Sequence, residues 1–84
     1  MYNYEELKKE VFTEQGQRQF LSIRDHIKET LNKAGAIRMQ EAISVATGDS
    51  WVHLACVDRL VELGEIREIP QTNIIGQHRI FVSR

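Results

Sequence analysis

Eighty-four residues with 42% apolar and 27% charged side chains make one folded domain and leave no room for a second core. The single Cys56 excludes an internal disulfide framework. The opening MYNYEELKKEVF has no apolar h-region, and no apolar run approaches the ~18 residues that span a bilayer, so we expect a cytoplasmic protein without a membrane segment. A net charge of −1 excludes a chain that holds nucleic acid by bulk charge alone, which needs clustered Lys and Arg.

Residues 3–13 are predicted to be a short helix. Asn3 is placed to cap it, and Glu5 and Glu6 suit its first turn. Tyr4, Leu7 and Val11 form a narrow apolar stripe with Phe12 beside it, and Thr13-Glu14-Gln15-Gly16 is expected to break the helix. A helix this short is marginal alone and must dock. It either covers the domain's own surface, the reading we place first and one in which Tyr4, Leu7 or Val11 would lie over Trp51, or supplies a homodimer seam.

Residues 17–34 make the longest predicted helix. Phe20, Ile23, Ile27, Leu31 and Ala34 recur at spacings of three and four and mark its buried face, while Gly35 stands at the C′ position. Arg24, Lys28 and Lys33 lie elsewhere and read as a solvated face. Ala36-Ile37-Arg38 is expected to be extended. Residues 39–47 then read as a helix with Ala42, Ile43 and Ala46 facing inward, followed by a turn at Gly48. Asp49 or Ser50 caps the next helix, residues 50–63.

At about 100° per residue, His53, Cys56, Val57 and Leu60 group on one side of that helix. Trp51, Ala55, Asp58 and Glu62 group on the other, with Arg59 close by. Two short helices across a glycine turn are the helix-turn-helix pattern, whose second helix commonly enters a DNA groove. Glu65 to Ile69 reads as a strand stopped by Pro70, residues 71–78 as a loop with turn residues Asn73 and Gly76, and Arg79 to Ser83 as the returning strand.

No motif of hydrolytic, phosphate-binding or zinc chemistry is present: there is no GxSxG, no Gly-rich phosphate loop, no HExxH and no paired CxxC. His53-x-x-Cys56 offers two ligands at helical spacing, but two ligands do not make a site, and a core cysteine beside a hydrogen-bonded histidine is the preferred reading. We therefore expect no enzyme, no metal and no cofactor.

The run Leu60-Val61-Glu62-Leu63-Gly64-Glu65-Ile66, a helix end of the form L-x-x-L-G-x-I leading into a hairpin, resembles the winged helix-turn-helix family, and the resemblance covers residues 17–83. It implies an α+β winged helix in one domain: a helical core over 16–64, a β-hairpin wing over 65–84 joined by residues 36–38 as a third strand, and an extra helix within 1–15. It further implies a DNA-binding transcriptional regulator, expected as a homodimer on double-stranded DNA, with helix 50–63 in the major groove and the wing on the flanking backbone. The matching contact positions are Ser50, Trp51, Leu54, Ala55 and Arg59 on the helix, Arg38 and Gln40 at the start of the preceding one, and Thr72, Asn73, Gln77, His78 and Arg79 on the wing. On this reading Arg79→Ala weakens a duplex complex and leaves folding intact.

The helix itself departs from that pattern. Its first turns lack the Arg, Lys, Asn and Gln that supply bidentate base contacts, and residues 35–64 carry Arg38 and Arg59 against Glu41, Asp49, Asp58 and Glu62. The alternative is a winged-helix protein–protein interaction module that binds a partner through the Trp51 face.

Overall fold

Asn3 and Thr13 begin the first two helices of the computed structural model, which describes residues 1–70 and 78–84. α1 (Tyr4–Val11) is capped by the Asn3 side chain, which accepts from the Glu6 N–H. α2 (Glu14–Ala34) is capped by Thr13, whose hydroxyl accepts from the Gly16 N–H at 3.0 Å and donates to the Glu10 carbonyl at 2.8 Å. The helix therefore starts three residues earlier than expected. The break is confined to Phe12 and Thr13, and of these Phe12 is still helical (φ −86°, ψ 0°) while Thr13 is extended (φ −74°, ψ 163°).

Gly16 is not the breaker that its position suggested. It sits inside α2, buried, because α1 folds back against it. A Cβ there would overlap the Glu10 carbonyl oxygen and stand 2.9 Å from the carbonyl carbons of Glu10 and Val11. Glycine in a helix costs about 1 kcal/mol relative to alanine, and the close approach of the two helices offsets it. The expected stripe on α2 is buried through Phe20, Ile23, Ile27 and Leu31, whereas Ala34 at its end is exposed.

The strand β1 (Ala36–Arg38) leads into α3 (Met39–Ala42), a single turn rather than the helix expected over 39–47. The Glu41 carbonyl explains the early stop. It accepts from the Ser44 N–H at 3.2 Å and the Ser44 hydroxyl at 2.7 Å, with the His26 ring also 3.2 Å away, so the acceptor that would continue the helix is occupied. A turn over Ile43–Val45 and an irregular stretch ending at Gly48 (φ 109°) carry the chain to α4 (Ser50–Glu62). Asp49, not Ser50, caps α4, accepting from the Trp51 N–H at 2.9 Å. Gly64 (φ 77°) turns the chain out, and the Glu65 N–H returns to the Leu60 carbonyl at 3.0 Å, closing the helix end.

β2 (Ile66–Glu68) and β3 (Ile80–Ser83) pair antiparallel, and β1 joins the other edge of β3, giving a three-stranded antiparallel sheet of order β1-β3-β2. Phe81 on the central strand lies opposite both Ile37 and Glu68 and is fully buried. Around it the core gathers Ile23 and Ile27 of α2, Met39 of α3, Val57 and Leu60 of α4, Ile66 of β2 and, from α1, Val11. Among the described residues the result is an α+β architecture of four helices and one small sheet. Among the described residues no helix is long and apolar enough to cross a membrane.

Candidate interaction surface

The inner side of α4 is as its periodicity predicts: Cys56, Val57 and Leu60 have no exposed surface and His53 is buried. Burial pushes the Cys56 thiol up to about 11, so it is an inert packing group. His53 Nε2 has no hydrogen-bond partner among the described residues, and no group of three or more His, Cys, Asp or Glu among them could hold a metal ion.

The outer side of α4 is not an open helix face. α1 and the residues flanking it lie across it as a strap. The Tyr2 hydroxyl donates to Asp58 Oδ2 at 2.6 Å, the Tyr4 hydroxyl to Glu62 Oε1 at 2.8 Å, and Lys8 Nζ to Glu62 Oε2 at 2.8 Å. Phe12 lies against the Arg59 guanidinium, 5.1 Å from ring centroid to Cζ. Ala55, the small residue on this face, is fully buried. Hydrogen bonds from Lys8, Tyr4 and Arg59 hold the Glu62 carboxyl down to about 2. Burial, and then the bonds to Asp58 and Glu62, raise the hydroxyl pKa values of Tyr2 and Tyr4 well above the ordinary tyrosine value.

The base of the hairpin joins the same network. Arg79 donates to Asp58 Oδ1 at 2.7 Å and spans Glu68 with two bonds of 2.8 and 2.9 Å, its side chain only 20% exposed. The hydrogen bonds to Glu68, and then Asp58, raise its pKa above the ordinary arginine value and hold it charged. Asp58 is thus the point where the N-terminal segment, α4 and the hairpin meet.

The positions singled out from sequence fall into four groups. Arg38, Gln40, Ser50 and His78 are exposed. Trp51, at 44% exposure, projects from the first turn of α4 beyond the polar contacts of the strap, and Leu54 is half-buried and packs on the core. Ala55 is buried, Arg59 is bonded to Glu62 at 2.7 Å and Arg79 is committed to two carboxylates, so these three are not presented at the surface in the way the sequence reading placed them. Thr72, Asn73 and Gln77 lie outside the described residues.

Sequence reasoning did not single out Tyr2, Lys8 or Glu68, nor the pairing of Asp58 and Glu62 with the N-terminal segment. The stripe of Tyr4, Leu7 and Val11 signals that α1 docks, and it does lie on α4, but its polar contacts fall at Asp58 and Glu62 and leave Trp51 44% exposed. Compared with protein-family models, with curated proteins and with solved structures, the chain shows no match.

Proposed function

We propose that this chain is a winged-helix domain that works by binding another protein, through the exposed start of α4 around Trp51. The order of elements supports the winged helix: α2, α3 and α4 bracket a glycine turn, α4 hands directly to the β2–β3 hairpin, and β1 completes the sheet at the far edge.

The observation that carries the binding mode is the strap over α4. A major groove is ~12 Å wide, about the diameter of one helix with its side chains. Two helices packed at ~8–10 Å between axes do not enter it together. On this face Arg59 and Arg79 are also not free for a duplex, because both are bonded to carboxylates of the same network. A half-exposed tryptophan at the end of such a helix has instead the character of an anchor for a protein pocket.

The test is retention of a protein partner from extract of the source cells on the immobilised chain. Trp51→Ala should abolish retention with the circular-dichroism spectrum unchanged, and Arg38→Ala should leave it intact. Equal retention by both variants would contradict this reading.

A second reading, a duplex-binding transcriptional regulator, draws support from exposed Arg38 and Gln40 at the start of α3 and Ser50 at the start of α4. It requires the strap to move aside. Its mark would be a duplex complex that Arg38→Ala weakens and whose salt dependence that substitution reduces by about one phosphate contact.

A further inference from the structure

We propose that α1 is an exchangeable arm, and that two copies of this chain pair by each laying its α1 on the other's α4. The hinge makes this possible with one rotation. Between Tyr4 and Ala34 the only cap or hinge residue outside the helical region is Thr13, at ψ 163°, since Phe12 is already αR. Turning ψ of Thr13 into the helical range fuses α1 and α2 into one helix of roughly 46 Å at 1.5 Å per residue. A two-residue hinge gives α1 two well-defined positions, folded back on its own α4 or extended in line with α2. Short hinges of this kind favour exchange between copies.

The vacated surface selects its occupant. An extended arm uncovers Ala55, which has no exposed surface in the folded-back form, together with Asp58 and Glu62. It also removes fully buried Val11 from the core. The segment complementary to that surface is α1 itself: Val11 for the apolar floor, the Tyr2 and Tyr4 hydroxyls for Asp58 and Glu62, and Lys8 for the second Glu62 oxygen. A second copy restores each of these contacts with no new surface. The partner's Tyr2, Tyr4 and Lys8 then complete the α4 face of the first chain.

Gly16 sets the balance between the two forms. A side chain at this position collides with backbone atoms of Glu10 and Val11 only while α1 is folded back. In the fused helix the Glu10 carbonyl accepts from the Glu14 N–H and lies well away from residue 16. Thr13 works in the same direction, because the bond its hydroxyl accepts from the Gly16 N–H exists only at the kink, as does the 2.7 Å bond from Gln17 Nε2 to the Val11 carbonyl. This inference is independent of what Trp51 binds.

Sedimentation of the full chain over a concentration series gives the first readout. A dimer fraction rising with concentration is expected, and Gly16→Ala should tighten dimerisation at least roughly tenfold, through relief of the collision in both chains. Thr13→Ala, which introduces no collision, should shift it the same way and serves if Gly16→Ala does not fold.

The second readout separates exchange from an ordinary dimer. Equal amounts of nitrogen-15-labelled and unlabelled chain are unfolded, refolded together and treated with a carbodiimide, which joins the Lys8 amine to the Glu62 carboxylate. Exchange yields Lys8–Glu62 linked peptides with one labelled and one unlabelled half. Folded variants that stay monomeric throughout the series would overturn the proposal, and so would a dimer whose linked peptides carry a single label.

Discussion

Glu62 accepts from three donors, Lys8, Tyr4 and Arg59, and its carboxyl is held at about 2 where the ordinary value is 4.5. A carboxyl whose pKa falls on folding contributes stability above its unfolded value and loses it as pH drops through its folded one. The stability advantage of the native chain over Glu62→Gln should therefore be full above pH 4.5 and shrink toward pH 2, as read by urea unfolding at a series of pH values. A gap between the two proteins that stays constant over this range would show that the three bonds do not depend on the charge. Arg79 makes a second prediction at this scale, and it departs from the expectation that its removal leaves folding intact. Its side chain and that of Asp58 are 20% and 15% exposed. Arg79→Ala takes the cation from two carboxylates, leaving Asp58 only the Tyr2 hydroxyl among the described residues, and a loss of about 2 kcal/mol is expected, between the values for surface pairs and buried ones. Denaturant unfolding measures it directly, and a loss within experimental error of zero would remove Arg79 from the network.

Among the elements, the seam between α1 and α4 is where sequence and structure part most clearly. Ala55 falls on the side of α4 opposite the core by periodicity alone, where a larger apolar residue would change stability by under ~0.5 kcal/mol. Buried under the strap, it has no room. Ala55→Leu is expected to destabilise by about 1–3 kcal/mol through overpacking, as a shift of the urea midpoint with an unchanged slope. A neutral Ala55→Leu would mean that α1 is not packed there.

The features read correctly from sequence are those whose cause is local. Asn3 and Gly35 announce helix ends through their own chemistry, and the stripe from Phe20 to Leu31 announces one buried face through its period. Of the two misplaced boundaries, the one at Gly16 is tertiary in cause, while the one at Ala42 is both local and tertiary, since Ser44 as well as His26 reaches the Glu41 carbonyl. Gly16 breaks nothing because α1 needs the space, and α3 stops at Ala42 with His26 of another helix placed against the Glu41 carbonyl. The polar network of the strap was not legible. Asp58 and Glu62 look like solvated acids on an exposed face, since their partners Tyr2, Tyr4 and Lys8 lie 54 to 58 residues away in the chain. Residue type therefore singled out positions that are exposed, Trp51 and Arg38 among them, while the network that closes α4 is seen only in the fold.

Across the whole molecule, these contacts decide which part of α4 is exposed. The helix that the turn at Gly48 would send into a groove lies between the core on one side and α1 on the other. Its arginine and the hairpin's Arg79 are neutralised in place, and the chain carries a net charge of −1. What it leaves open is Trp51 at one end. We propose that the strap keeps this helix out of a DNA groove. Fluorescence anisotropy of a labelled random duplex, titrated with the full chain at low salt, tests it most directly. No saturable binding is expected at ~50 mM salt, where even weak phosphate contacts register. Saturable binding whose affinity falls steeply with added salt would contradict the account.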